Sequence, residues 1–179
     1  MNRALLVAAG GLVLVLVAAL FLALQREDLS GGVATPVEEV QGTRTITLMF
    51  PGARAGYLRE SREIVGGEFF EEDVRTTVHE LIAGSREQPA VRPLPPTTQL
   101  WNVFWDGEGE LTLNFSDHLR SEHPGGSEAE LATLRCVMST LGSNFPEVDA
   151  VRFLIEGEVP PTLAGHVELT RPVRVADYR

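Results

Sequence analysis

The sequence predicts an α+β fold: a two-layer sandwich in which a mixed β-sheet carries two helices on one face, preceded by one N-terminal transmembrane helix. Three observations support this prediction. Residues 4–24 contain only Ala, Leu, Val, Gly and Phe. Two later segments repeat their apolar residues with the period of a helix, and several short segments alternate apolar and polar residues as strands do. No internal repeat is visible, so we expect the globular domain to occur once.

The apolar run from Ala4 to Leu24 is long enough to cross a bilayer. Its 21 residues would form a helix of about 31 Å, and the hydrocarbon core is about 30 Å thick. A secretory signal usually has a shorter apolar core and a small-residue cleavage site, and Leu22-Ala23-Leu24-Gln25 is a poor site. We therefore predict an uncleaved signal anchor; a cleaved signal peptide is the alternative.

This anchor divides the chain into three parts. Residues 1–25 are predicted to form the transmembrane signal-anchor helix, residues 26–42 a flexible tether and residues 43–179 one extracytoplasmic domain. The charges flanking the helix are nearly balanced, but the short N-terminal flank needs no translocation. The sequence thus predicts a single-pass protein with its C-terminal domain outside the cytoplasm.

The first half of the domain is predicted to be strand, strand, helix. Ile46, Leu48 and Phe50 share one face of a strand that ends at Pro51-Gly52, and residues 57–65 can form a second strand. Residues 69–83 then follow helical spacing and stop at Gly84. The apolar stripe of this helix is Phe70, Val74, Val78 and Leu81, and the acids of its first turn are Glu71, Glu72 and Asp73.

The second half is predicted to be a hairpin, a helix and two strands. A proline-rich surface loop, residues 88–98, precedes strands 100–105 and 110–115, which flank Asp106-Gly107-Glu108-Gly109. Ser127 and Glu130 have the spacing of a capping box at the start of helix 128–144. Its buried stripe is Leu131, Leu134, Met138, Leu141 and Phe145, and strands follow at 151–155 and 167–169.

Composition excludes several classes of function. The chain has 25 acidic residues against 15 arginines and no lysine, and an acidic domain repels phosphate backbones, so we expect no nucleic-acid partner. Cys136 is the single cysteine, which rules out an internal disulfide and any multi-cysteine metal site. Its position beside the apolar stripe of the second helix is typical of a small buried hydrophobic residue.

Residues 116–127 form the densest polar cluster and leave four interpretations open. His118 and His123 could bind a metal with a carboxylate, although Pro124 and two glycines prevent a continuous helical ligand pair. A serine of the cluster could be a nucleophile, but no Gly-x-Ser-x-Gly motif is present. Gly125 and Gly126 could expose N–H groups to an anion. The favoured interpretation is a connection in which His123 caps or packs locally, with no catalytic, metal-binding or cofactor-binding residue.

Two tryptophans complete the candidate binding surface. Trp101 and Trp105 lie on the same face of a predicted strand, where core packing is the commoner use. If they face water instead, they are good anchors for a protein or glycan. The candidate binding surface is therefore Trp101, Trp105, His123, Gly125 and Gly126.

Three blocks of the sequence are distinctive: His123-Pro124-Gly125-Gly126-Ser127-Glu128-Ala129-Glu130, Phe145-Pro146-Glu147-Val148 and Val151-Arg152-Phe153-Leu154-Ile155-Glu156-Gly157. Together they resemble the GerMN domain, a bacterial domain named after the sporulation and spore germination protein GerM. The resemblance covers roughly residues 45–172. It implies a small exported α/β domain without catalytic residues, similar in build to the ring-building modules of envelope machines.

These observations predict a non-catalytic protein of the bacterial cytoplasmic membrane. We expect it to act through protein–protein contacts with envelope or cell-wall proteins, in cell-wall or ring-like assembly, with a sporulation, germination or general envelope role. A homo-oligomer is a further expectation that the sequence leaves open. The alternatives are a module that binds peptidoglycan or another glycan, and a hydrolase or metal enzyme that uses His118 and His123.

Overall fold

The computed structural model describes residues 42–52, 56–88 and 92–178. The chain forms strands and helices in the order β1 (Thr43–Pro51), β2 (Tyr57–Val65), α1 (Phe70–Ala83), β3 (Leu100–Trp105), β4 (Glu110–Phe115), α2 (His118–Ser121), α3 (Ser127–Asn144), β5 (Ala150–Ile155) and β6 (Val173–Arg174), with a final 3-10 turn (Val175–Tyr178). This mixture of strands and helices confirms the predicted α+β class.

The strands form two sheets, so the prediction of one mixed sheet is wrong. Strands β1 and β2 make an antiparallel hairpin of their own, and the other four strands form a sheet in the order β3-β4-β5-β6. The free edge of β1 is taken by side chains of α3. Asn144 accepts from the Thr47 N–H at 2.8 Å and donates to the Thr47 carbonyl at 2.7 Å, while Thr140 accepts from the Met49 N–H at 3.0 Å. These bonds occupy the middle of the outer edge of β1, at Thr47 and Met49.

The four-stranded sheet contains the predicted hairpin and one parallel pair. Strands β3 and β4 are antiparallel, β4 and β5 are parallel, and β6 closes the sheet antiparallel to β5. The last strand differs from the prediction, because residues 167–169 form only a single bridge, Thr162 with Glu168. The carboxylate of Asp106 holds the β3–β4 turn by accepting three backbone N–H groups, from Glu108, Gly109 and Glu110.

The core confirms most of the predicted apolar faces. Ile46, Leu48 and Phe50 are fully buried, as are the α1 residues Val74 and Leu81. The α3 stripe is buried except for Leu131, which is half-buried. The proline-rich loop is not wholly superficial, since Pro93, Leu94 and Pro95 are buried. Burial of Leu94 in the main core fixes this loop against the domain.

The predicted capping box at Ser127 and Glu130 is wrong. Gly126 is the N-cap of α3 with a φ of 84°, and no side chain caps the helix. Glu130 is instead fully buried and accepts from the Val167 N–H at 2.8 Å and, through its other oxygen, lies 2.8 Å from Nδ1 of His166. The same Ser-x-x-Glu spacing therefore serves a long-range contact that ties the C-terminal loop to α3.

A charged pair lies on the buried face of β2. Glu60 and Arg62 are each 4 % exposed, and their side chains are joined at 2.6 Å. Arg62 also donates to the carbonyls of Glu80 and Gly84 at the end of α1, while Glu60 accepts from Ser85 and Arg86. Arg62 thus satisfies carbonyls at the end of α1, and the two side chains together attach that helix to the hairpin.

No helix among residues 42–52, 56–88 and 92–178 is long and apolar enough to cross a membrane. The predicted anchor at 4–24 and the predicted tether at 26–42 lie outside the described residues, apart from Gly42.

The replacement Arg62→Met should lower the free energy of unfolding by about 3–5 kcal/mol, because it leaves Glu60 buried without its counter-charge. Urea unfolding followed by circular dichroism measures this. Arg171→Met, at an exposed arginine, is the matched control and should change stability by less than about 0.5 kcal/mol. The double replacement of Glu60→Leu and Arg62→Met should lose less than Arg62→Met alone; a larger loss would contradict this account of the pair.

Candidate functional site

His123 joins the proline-rich loop to α3, as the local-packing interpretation predicted. Its Nδ1 accepts from the Gly125 N–H at 3.0 Å, and its Nε2 lies 2.9 Å from Oγ1 of Thr133. Because Nδ1 is an acceptor, Nε2 carries the proton and donates to Thr133, whose hydroxyl then donates to the Pro93 carbonyl at 2.6 Å. Burial lowers the pKa of His123 below its ordinary value, against the opposing charge of Glu130.

A cleft of about 370 Å³ opens beside this histidine. Its described lining residues come from the proline-rich loop, from the segment before α3 and from α3 itself: Pro51, Arg92, Pro93, Leu94, Pro95, Pro96, Glu122, His123, Pro124, Ala129, Ala132 and Thr133. Of the predicted binding residues only His123 lines it. Gly125 and Gly126 have φ angles of 72° and 84°, a conformation that other residues adopt rarely, so they set the path of the chain into α3.

The arrangement does not favour the metal alternative at His118 and His123. Both ring nitrogens of His123 already have protein partners, so a metal would have to displace one of them. His118 is exposed and lies beside Ser116 and Glu122. Within the described ranges, no group of three or more His, Cys, Asp or Glu side chains could hold a metal ion. Cys136 is fully buried, as predicted, and burial raises the pKa of its thiol to about 12, so it is no ready nucleophile.

The two tryptophans have different environments. Trp105 packs on Phe70 with ring centroids 5.0 Å apart and belongs to the edge of the core. Trp101 lies at a register shift in β3, is 43 % exposed, and its indole N–H reaches the Gln99 side chain at 3.4 Å. The irregularity in β3 separates two residues that a regular strand would place on one face. Trp101 alone therefore remains a candidate contact residue.

A second concave surface lies over the outer face of α3 and was not predicted from the sequence. We call it the α3 groove. It has a volume of about 590 Å³, and its lining residues are Met49, Tyr57, Arg59, Arg135, Ser139, Gly142, Ser143, Asp177 and Tyr178. Both tyrosines of the chain line it, and the small residues of α3 leave it open. Tyrosine and arginine are the side chains most enriched at protein interfaces.

The α3 groove carries positive groups on an acidic protein. Arg59 and Arg135 are exposed, and neither forms an ion pair with any residue that the structure describes. Burial raises the pKa of Tyr178, and the charge of Arg135 opposes that rise. The whole chain has a formal charge of −10. Asp177 also lines the groove, but it pairs with Arg174 at 3.1 Å, so the two arginines make the groove a local site for an acidic group. The groove was hard to predict from the sequence, because Arg135 and Tyr178 are 43 positions apart.

A family model supports the resemblance seen in the sequence. The Germane model, described as sporulation and spore germination, matches residues 47–160. A comparison with curated proteins finds no match.

Three solved structures resemble the described fold. The tandem GerMN domains of the sporulation protein GerM from Bacillus subtilis align with a TM-score of 0.57 at 18 % identity, over 79 % of this chain and 49 % of that one. The first GerMN domain of the same protein gives 0.52 at 18 %, over 74 % and 93 %. A Clostridium perfringens protein, described as a candidate lipoprotein, gives 0.55 at 20 %, over 76 % and 90 %. At these identities the likeness concerns the fold alone.

Stability should decrease as the pH falls below about 6.5, in part because of His123. The pKa of His123 is lower in the folded than in the unfolded chain, so the unfolded chain binds the proton first as the pH falls. The contribution of neutral His123 to the free energy of unfolding is complete above about pH 6.5 and is lost as the pH falls towards the folded pKa. His123→Gln does not titrate, so its urea midpoint should vary less between pH 7 and pH 5 than that of the unaltered protein. Parallel slopes for the two proteins would refute this role of His123.

Proposed function

The chain belongs to the Germane family of sporulation and spore germination domains, and from this membership we propose that it is a non-catalytic, membrane-anchored protein of the bacterial envelope. In this proposal the Germane domain, residues 47–160, is the working part. It acts by contact with another envelope or cell-wall protein in a cell-wall or ring-like assembly. The arrangement of the described residues supports binding better than catalysis, because His123 and Cys136 are both engaged in packing.

The proposed location rests on the apolar run Ala4 to Leu24, whose length matches a bilayer. The description of the Clostridium perfringens neighbour as a candidate lipoprotein agrees with a membrane-associated setting. Anchoring would keep the domain close to the membrane surface and restrict its search for a partner to that layer. This restriction raises the effective concentration of the domain, so that modest affinity suffices.

The α3 groove is the observation that carries the proposed mode of action. A site for a protein needs exposed aromatic and arginine side chains around a surface into which the partner can enter. The groove provides Tyr178 and Arg135 over the small residues Ser139 and Gly142. Since Arg135 is exposed and unpaired among the described residues, the complementary group on the partner is an acidic side chain.

Arg135→Glu should reduce recovery of the partner by about tenfold, because it reverses the charge of the groove. The measurement is chemical crosslinking in intact membranes, followed by purification of the full chain and quantification of crosslinked proteins. Arg120→Glu is the matched control: Arg120 is also exposed but lies on α2, outside the groove, and pairs with Asp117 at the surface. Recovery of uncrosslinked chain alone, in repeated trials with the unaltered protein, would refute the proposal.

A glycan-binding module is the second candidate, favoured by the exposed ring of Trp101. Aromatic faces pack on sugar rings, and a solvent-facing tryptophan on a rigid strand needs little ordering to do so. In this case the unaltered protein should sediment with purified peptidoglycan sacculi, and Trp101→Ala should abolish sedimentation. Absence of sedimentation with the unaltered protein would remove this candidate.

A further inference from the structure

The outer edge of β2 has no backbone partner among residues 42–52, 56–88 and 92–178. In the β1–β2 hairpin, the even-numbered residues of each strand form the hydrogen-bonded pairs. The Gly52–Gly56 and Gly42–Gly66 bonds at the two ends of the hairpin show this alternation. The odd-numbered residues of β2 therefore direct their backbone N–H and C=O groups away from β1. None of these groups has a partner among the residues that the structure describes: Tyr57, Arg59, Ser61, Glu63 and Val65.

The two outer edges of the hairpin differ in their hydrogen-bond partners. The edge of β1 is occupied by the side chains of Asn144 and Thr140, which replace the missing neighbour strand. No residue in the described part of the chain bonds the outer edge of β2 in this way, and an exposed strand edge is a ready template for another strand.

We propose that β2 pairs antiparallel with β2 of a second copy of this chain, about a two-fold axis at Ser61. The two hairpins then form one continuous sheet in the order β1-β2-β2-β1. Antiparallel self-pairing of one strand is the isologous contact that two-fold symmetry requires. The backbone N–H and C=O groups of the odd-numbered β2 residues then form the hydrogen bonds between the two copies of β2.

The side chains of β2 are complementary to themselves in this register. Around Ser61, Arg59 of each copy faces Glu63 of the other. The dimer therefore contains two such pairs of opposite charge, one on each side of the axis. Tyr57 faces Val65, an aromatic side chain against a β-branched one. Both are exposed in the single chain, Tyr57 by 43 % and Val65 by 57 %. Cross-strand pairs of these two kinds stabilise antiparallel sheets.

The buried face of β2 follows the same symmetry. In this register Leu58 faces Ile64, and Glu60 faces Arg62. A shift of the register by one residue along the partner strand would set Arg62 against Arg59 and turn buried side chains towards the exposed face. The proposed pairing shares Tyr57 and Arg59 with the α3 groove but does not use Arg135, so Arg135→Glu tests the envelope partner separately.

A cysteine at the proposed two-fold axis gives the first test. The full chain carrying Ser61→Cys should form a disulfide-linked dimer in membranes under mild oxidation, several-fold more than the control Ser121→Cys, which places a thiol on exposed helix α2. The native Cys136 is fully buried and does not interfere. Equal yields for the two variants would overturn the proposal.

Charge reversal gives the second test and fixes the register. Arg59→Glu and Glu63→Arg should each weaken dimerisation of the full chain in detergent by about tenfold, since each sets like charges opposite one another twice. The combination of both replacements restores opposite charges and should restore the dimer. Glu147→Arg, at an exposed acid outside β2, is the matched control and should have no effect. Light scattering measures the association, and circular dichroism verifies that each variant folds.

Failure of the double variant to recover would overturn the Ser61 register, and a monomeric unaltered chain at high concentration would overturn the pairing itself. Arg135→Glu should leave the Ser61→Cys crosslink unchanged. Loss of that crosslink with Arg135→Glu would contradict the assignment of dimerisation to the β2 edge. The failure of the envelope-partner proposal and the failure of this one are therefore separable.

Discussion

The contact between Asn144 and the backbone of Thr47 is the constraint on which the rest of the structure depends. The hairpin shares no strand pairing with the four-stranded sheet, so it must be attached through helices. Asn144 both accepts from and donates to Thr47, as the backbone of a neighbouring strand would. Because buried backbone groups must be paired, Asn144 sets where β1 lies, together with Thr140, which accepts from the Met49 N–H. The position of β1 then fixes which face of the hairpin meets the core and which edge stays open.

Two buried charged residues, Arg62 and Glu130, also attach separate segments of the chain to one another. Arg62 binds the last carbonyls of α1, and Glu130 accepts the backbone of the C-terminal loop. Burial raises the pKa of each carboxyl, Glu60 and Glu130, yet hydrogen bonds from the surrounding N–H, hydroxyl and imidazole groups bring both below the ordinary value. Both carboxylates therefore stay ionised near neutral pH. Such groups hold segments of irregular backbone where apolar packing alone would leave them loosely placed.

In this domain most buried polar side chains are used for internal contacts, and several surface features stay accessible to another molecule. The histidine and the cysteine that could have suggested chemistry are used for packing. The open features of the described residues include the cleft beside His123, the α3 groove, the exposed ring of Trp101 and the outer edge of β2. Each of these features is suited to contact with another molecule, and the edge of β2 and the groove share Tyr57 and Arg59. Self-association and partner binding would thus take place on adjoining surfaces of one small domain.

The sequence by itself determined the local structure. The period of apolar residues predicted both long helices, five of the six strands and the buried positions of Ile46, Leu48 and Phe50, because periodicity depends only on neighbours along the chain. Its blocks around His123 and Phe153 also indicated the family. Only the tertiary structure decided that the strands divide into two sheets, that Glu130 binds a loop and does not cap its helix, and that Arg135 and Tyr178 meet in one groove. These outcomes depend on residues far apart in sequence whose polar groups must find partners once buried, and no local pattern specifies such partners.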